Sequence, residues 1–469
     1  MLFNTPLFFL FFSIFFVLYS FVFLRRRPRI LLILVGSLVF YAGWNYRFIP
    51  LLVASAVADY FLAIRIHEAR QIRSKKRFLA LSVAINLGIL AIFKYSDFAL
   101  QSVSEFLTLF GFQAYLPALN FVLPVGISFY TFQSMSYTID VYRGQMKPRK
   151  GLLQFTAALA FFPQLVAGPI LRARQILPQF ENIPIPTWRG VKHGFLLIAV
   201  GLFKKTLADL LAGRVEAVFG SADPVSRLES WTAVVAFAGQ IYGDFSGYTD
   251  MAIGIALLLG FQISINFNLP YLATSPVDFW RRWHISLSSW LRDYLYISLG
   301  GNRSHRYRNI FVTMLLGGLW HGAAWTFIAW GLFHGCLIVA THWLASLSPL
   351  RALAKSSHWL LRILMWIFTF YLVLVGWVFF RAVSIESAFA IIGLMHGVGS
   401  SPTPPTNATL FAIFCGAALV IMHLVDYVVI RWGSGIERRG WLLWPTLAVI
   451  HILCFFIGVP NNEFIYFQF

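Results

Sequence analysis

Two histidines stand out in a chain that is 59% hydrophobic and only 12% charged. His321 lies in the run GGLWHGAAW and His284 in the run RRWHIS. An imidazole titrates near neutrality, so it can take a proton from a hydroxyl while that oxygen attacks an acyl carbon. Ionisable groups at membrane depth are costly and are functional by default, which makes His321 the residue to organise a site around. Gly317, Gly318 and Gly322 flank it and allow a backbone or a substrate to approach closely. The plainer alternative for His321 is a hydrogen bond between helices. His284 is a candidate for a second proton or for orienting a substrate, or else an interfacial histidine among Trp280, Trp283 and Trp290. His334 and His342 read as structural residues lining spans.

Around these histidines the segment 278–334 mixes cations with aromatic rings. Arg281, Arg282 and Arg292 have the planar fork that suits phosphates, and they equally suit anionic lipid headgroups. Upstream, the run YGDFSGYTD carries Asp244 and Asp250 beside Tyr242 and Tyr248. These carboxylates are positioned to balance the arginines, either in substrate binding or as plain structural ion pairs.

The elements that hold such residues must be membrane helices. A mean hydropathy of +0.72 over 469 residues marks a polytopic membrane protein. A bilayer core of about 30 Å takes about 20 residues per helix, which leaves room for roughly a dozen crossings. The period-2 alternation of a barrel is absent, so the crossings are helical. The net charge of +19 sits in clusters between apolar runs. That pattern fits the positive-inside rule and argues against nucleic acid. Cys336, Cys415 and Cys454 lie singly in apolar runs, which gives neither a disulfide framework nor a metal site.

Candidate spans cover residues 7–24, 30–44, 48–64 and 78–93, followed by an amphipathic interfacial piece at 96–112. The first span has no basic region before it and no small-residue cleavage site, so it reads as a retained helix. The loops after the first and third spans hold Arg25, Arg26, Arg27 and Arg29, then Arg65, Arg70, Arg73, Lys75, Lys76 and Arg77. Both are therefore expected in the cytoplasm and the N-terminus in the periplasm. Later spans are expected near 359–380, 408–430 and 441–459, with no soluble domain between them.

Four stretches are too polar, too broken or too long for plain spans. LPVGISFYTFQSMSYTIDVYRG carries Ser128, Tyr130, Gln133, Ser134, Tyr137 and Asp140, so one face must look inward. FFPQLVAGPILRARQ carries Pro163, Gly168 and Pro169, which interrupt a helix where protein or a water-filled cavity must satisfy the backbone. Residues 194–211 carry Lys204 and Lys205 in mid-run. Residues 231–261 are too long for one plain span, and two short helices meeting at the polar centre are expected there.

The succession YGDFSGYTDMAIG, NFNLPYLATSPVDFWRRWHISLSSWLRDYLYISLGGNR and GGLWHGAAWTFIAWGLFHG resembles the membrane-bound O-acyltransferase (MBOAT) superfamily. More narrowly it is similar to the bacterial branch that includes the alginate O-acetyltransferase membrane subunit. The resemblance extends over nearly the whole chain. It implies an all-α polytopic fold of roughly 11–14 helices, with re-entrant segments around a central tunnel. A single membrane domain would span 1–469, with core motifs at 115–345 and a C-terminal aromatic tail at 461–469. His321 matches the histidine regarded as catalytic and would act as general base; His284 matches a second, more branch-dependent one, and either backbone donors or His284 would steady the oxyanion. Trp320, Arg281, Arg282, Arg292, Asp244 and Asp250 are the candidates for substrate or donor binding. No bound cofactor or metal is expected.

The resemblance also implies an activity: acetyl-CoA in the cytoplasm gives its acetyl group across the bacterial inner membrane to a cell-envelope or secreted polysaccharide. Alginate, cellulose and peptidoglycan all stay open as acceptors. A periplasmic SGNH-type acetyltransferase is the expected partner, with membrane lipids around the chain. The tail NNEFIYFQF resembles a C-terminal motif whose tyrosine is proposed to carry the acyl group, so Tyr466 is a third catalytic candidate. An interfacial aromatic anchor, facing the periplasm with the C-terminus, is the other reading of the tail. The rival functions are a solute transporter, since broken spans and buried charge suit one, and acylation of a lipid or protein within the same superfamily.

Overall fold

The computed structural model describes residues 1–112, 116–149, 151–220, 225–347, 358–399, 404, 407–457 and 464–465, and among them all regular structure is helical. Five helical stretches are long and apolar enough to cross a membrane: Arg26–Glu68, Ile72–Leu109, Trp325–Leu344, Trp359–Arg381 and Ala408–Gly433. Large apolar side chains such as Leu10, Phe21, Leu364 and Leu410 are exposed, whereas Asp59, Lys204 and Asp244 are buried. That inversion of the soluble pattern is what a hydrocarbon solvent selects, and the protein is a multi-pass membrane protein.

The chain packs as two compact units, residues 1–194 with 252–264, and residues 195–251 with 265–469. In the first unit most of the basic residues expected in loops lie within helices: Arg26, Arg27 and Arg29 open Arg26–Asn45, Arg65 is in the last turn of Ile49–Glu68, and Arg73, Lys75, Lys76 and Arg77 are in the first turns of Ile72–Leu90. The helix Ile127–Tyr142 is buried along almost its whole length. Its Ser134 donates to Asp59, and that carboxylate also accepts from two residues of the helix Ile72–Leu90, Ser82 Oγ at 2.5 Å and Asn86 Nδ2 at 2.6 Å. The Pro163 region is broken as expected, into helices Leu152–Leu159, Phe162–Leu165 and Ala173–Glu181. Its loose backbone is covered, because residues 160–173 are all buried. The piece expected at the interface forms the helix Ser96–Leu109, which buries none of its residues.

The second unit overturns one expectation. Residues 231–258 do not form two short helices; they lie in the unbroken helix Arg227–Leu258, beside the equally long helix Trp188–Phe219, and the chain turns at 259–261. Two features remove the need for a break. A Cβ on Gly201 would stand 2.4 Å from the carbonyl oxygen of Gly247, and one on Gly247 would stand 2.6 Å from that of Gly201, so only glycines let these helices cross so closely. The polar centre is met by lysines of the neighbouring helix, Lys204 at Asp250 and Lys205 at Asp244. Around this pair stand the short helices Pro276–Arg282 and Ile285–Trp290, the hairpin Arg306–His321 with Trp325–Leu344, and the helices Trp359–Arg381, Ile385–Met395, Ala408–Arg438 and Gly440–Ile457. Trp283, Trp330 and Trp377 are fully buried at their centre.

Candidate active site

Ser275 caps the helix Pro276–Arg282 by accepting the N–H of Asp278, and Pro276 takes the first helical position. The helix stops after Arg282, and His284 adopts the left-handed conformation at φ +42° before the next helix begins at Ile285. A fully buried non-glycine residue in that region is strained and is held by its surroundings. Asn266 does the holding. Its main-chain oxygen accepts the N–H of Ile285 at 2.9 Å, and its Oδ1 accepts the N–H of Ser286 at 3.0 Å and the Oγ–H of Ser286 at 2.8 Å. The same Oδ1 lies 3.1 Å from Nδ1 of His284.

His321, expected in the middle of an apolar run, is the last residue of the helix Arg306–His321. The helix ends because Gly322 turns extended; a Cβ there would stand 2.0 Å from the ring of Phe327. A Cβ on Gly318 would stand 2.2 Å from the Phe327 carbonyl oxygen. These two glycines therefore admit the returning chain and not a substrate. The imidazole is 4% exposed and sits among the rings of Trp320, Trp330 and Phe380, with centroids at 5.0, 5.0 and 5.2 Å. His284 is its neighbour at 6.5 Å between ring centroids, and Trp320 touches both. The two histidines and Trp320 thus share one buried, aromatic-walled place.

Several polar atoms there have no hydrogen-bond partner among the described residues: Nε2 of His284 and the indole N–H groups of Trp330 and Trp377. Buried polar atoms are normally satisfied, so a cluster with an open acceptor and open donors is what a polar ligand completes. His334 differs, since the N–H of Trp280 donates to its Nδ1 at 3.3 Å.

The other candidates lie elsewhere. Asp250 and Asp426 meet Lys204 at 2.5 and 2.8 Å, and Tyr242 donates to Asp426. Asp244 and Asp209 meet Lys205 at 3.0 and 2.7 Å. Lysines of the adjacent helix, not arginines, are the counterions of both aspartates. Arg282 pairs with Asp278 at 3.0 Å, the exposed Arg292 pairs with Asp293 at 2.7 Å, and Arg281 is exposed. Tyr466 lies outside the described residues, but the two residues before it do not. Phe464 and Ile465 are buried, Phe464 against Tyr248 at 4.9 Å and Phe245 at 6.1 Å. Phe245 in turn meets His284 edge-on at 4.7 Å. Sequence reasoning misses Asn266, Trp330 and Phe380. Nothing local singles out Asn266, which alternates with Gln262, Ser264 and Asn268 in the stretch FQISINFNLP. Among the described residues no group of three or more His, Cys, Asp or Glu is placed to hold a metal.

Residues 91–388 match the model of the membrane-bound O-acyltransferase family. The chain is 43% identical to a probable alginate O-acetylase of Azotobacter vinelandii over 404 residues, covering 85% of this chain and 79% of that one. It is 43% identical to a probable alginate O-acetylase of Pseudomonas aeruginosa over 432 residues, 91% of this chain and 80% of the other. A peptidoglycan O-acetyltransferase of Helicobacter pylori is 38% identical over 435 residues, 85% and 80% of the two chains.

Proposed function

We propose that this chain, which belongs to the membrane-bound O-acyltransferase family, moves acetyl from cytoplasmic acetyl-CoA across the bacterial inner membrane to a cell-envelope or secreted polysaccharide. The observation that carries the reading is the pair His321 and His284, buried together beside open polar atoms in an aromatic enclosure. Acyl transfer to a hydroxyl needs a group to take that hydroxyl's proton in a place where water does not compete for the acyl carbon. The pair handles the proton, with Trp320 as a wall of the site.

The whole of 1–469 acts as one membrane domain in this reading. Its basic loops face the cytoplasm, where they attract a polyanionic coenzyme, and Arg281, Arg282 and Arg292 add to that attraction. Both termini face the periplasm. The tail delivers acetyl through Tyr466 to a periplasmic SGNH-type transferase, which hands it to the polymer. The burial of Phe464 and Ile465 within ring contact of Phe245, itself against His284, supports a tail that reaches the site.

Purified protein in nanodiscs, given acetyl-CoA labelled in the acetyl group, should release free coenzyme and retain label, and His321→Ala should do neither. Equal coenzyme release by His321→Ala would overturn the reading. Release from another acyl thioester, with acetyl-CoA inert, would change the donor and keep the reaction class.

A further inference from the structure

We propose that His284 seats the pantetheine arm of the acyl donor, its Nε2 accepting a hydrogen bond from the amide N–H nearest the thioester, and that Asn266 keeps Nε2 free for that bond. The orientation of Asn266 is fixed by the chain itself. The main-chain N–H of Ser286 meets its side chain at 3.0 Å, so the amide atom there is the oxygen; the reverse orientation would set two donors against each other. The same oxygen receives the Ser286 hydroxyl at 2.8 Å. It only accepts, so the ring nitrogen 3.1 Å away, Nδ1 of His284, carries the hydrogen. In the neutral ring Nε2 is then a bare acceptor. It is buried without a hydrogen-bond partner among the described residues.

A buried open acceptor selects a ligand that brings a donor. The assignment of that ligand rests on the acyl-transfer reading above, in which the donor is a thioester of coenzyme A. The arm of the coenzyme ends in an amide, two methylenes and sulfur, so the amide nitrogen lies four bonds from the acyl carbon, about 5 Å when extended. The rings of His284 and His321 are 6.5 Å apart between centroids. An amide hydrogen-bonded to His284 therefore leaves the acyl carbon within reach of a hydroxyl held by His321. The carbonyl oxygens of the arm suit the open indole N–H groups of Trp330 and Trp377 in the same enclosure, and Trp330 stands 5.0 Å from His321.

The work of the two histidines is thereby divided. His321 takes the proton of the attacking hydroxyl as the new O–C bond forms, and the thiolate released when the C–S bond breaks takes that proton back. His284 fixes where the donor lies. Held in this tautomer it has no N–H to offer an oxyanion, so that charge falls to other donors. The strained backbone at His284 fits a positioning part, since Asn266 pins both the ring and, through its main-chain oxygen, the N–H of Ile285.

The full chain in nanodiscs tests this with acetyl-CoA and an analogue in which that one amide is an ester, so that oxygen replaces the N–H and the rest of the coenzyme is kept. Thiol release is the readout. Wild type should use acetyl-CoA with a kcat/KM about 10- to 100-fold above that of the analogue, the scale of leaving one buried acceptor unsatisfied. His284→Leu should bring this ratio to within about twofold of unity. His284→Gln offers a side-chain oxygen in place of Nε2 and should keep more of the ratio than His284→Leu. Asn266→Leu frees the ring to carry its hydrogen on Nε2, while the main-chain bond to Ile285 remains, and should also lower the ratio. A merely structural role for either residue would depress both thioesters alike and leave the ratio untouched.

Equal use of the two thioesters by wild type overturns the proposal, and that comparison needs no variant to fold. So does a wild-type ratio in His284→Leu. Both outcomes leave the acyl-transfer reading standing, because acetyl-CoA still turns over. Thiol release from neither compound overturns that reading and the proposal with it.

Discussion

The main-chain N–H of Ile465 donates to Oδ2 of Asp244 at 2.6 Å, tying residues 221 positions apart in sequence. The carboxylate is itself held by Lys205 at 3.0 Å, so the tail is fastened to a residue that cannot easily turn away. A hydrogen bond to a charged group contributes about 1.5–3 kcal/mol. Asp244→Leu should therefore expose the tail roughly 10- to 100-fold more often, whereas Asp244→Asn keeps an acceptor and should sit near wild type. Release of C-terminal residues by carboxypeptidase in detergent measures this, and equal rates in all three proteins would mean the bond does not hold the tail.

Tyr466 comes directly after this anchor in the chain. Tyr466→Phe keeps an aromatic ring and removes only the phenolic nucleophile. It should keep its level in the membrane and lose transfer to polysaccharide, and wild type given acetyl-CoA should carry acetyl on its C-terminal peptide by mass spectrometry. Full polysaccharide acetylation by Tyr466→Phe would make the tail an anchor alone.

The buried ion pairs predict an order of damage. Lys204 is 1% exposed in its side chain and answers two carboxylates, Asp250 and Asp426. Lys204→Met leaves both uncompensated, and breaking such a pair costs about 3–5 kcal/mol. Asp250→Asn leaves Lys204 with Asp426 and should cost less. Thermal melts in detergent should therefore place Lys204→Met below Asp250→Asn, and the reverse order would mean that Asp426 is not a counterion of Lys204.

Topology supplies a test of a different kind. A cysteine placed at Ser74, among Arg70, Arg73, Lys75, Lys76 and Arg77, should be labelled only from the cytoplasm, and one at Asn4 only from the periplasm. The opposite pattern would exchange the donor and acceptor faces.

Features of the fold are legible in the sequence where local physics decides them. The broken backbone around Pro163 and Pro169 follows from prolines that cannot extend a helix begun before them, Pro163 taking the first turn of the short helix Phe162–Leu165, and the inward face of Ile127–Tyr142 follows from side chains that lipid cannot satisfy. The unbroken helix Arg227–Leu258 is not legible, because its polar centre is answered by Lys204 and Lys205 on another helix, and a single segment does not announce its partner. His321 and His284 are legible as rare ionisable groups in apolar runs. The end of the helix at His321 is not, since Phe327 imposes it from the returning helix of the hairpin. Asn266 is silent for the same reason: an amide becomes a positioning group only when the turn at Ser286 is folded against it.

Two histidines stand almost equally close to the ring of Trp330, and they should respond differently to substitution. His321 lies at 5.0 Å and His334 at 4.9 Å between centroids. His334 is occupied: it accepts the indole N–H of Trp280 and stacks on Phe279 at 6.1 Å, which ties the helix Pro276–Arg282 to Trp325–Leu344. Its replacement by leucine leaves that indole donor unsatisfied, at about 1–3 kcal/mol, and should lower the melting temperature. Folded His334→Leu molecules should still turn over within about tenfold of wild type, because the ring is engaged in packing and not in moving a proton. His321→Ala should do the opposite. It should insert and purify normally, and its coenzyme release should fall to about 1% of wild type or less, the scale expected when a proton-handling group is removed. Measuring melting temperature and turnover on the same preparations separates the two, and a His321→Ala protein that melts early yet turns over normally would mark His321 as the structural histidine of the pair.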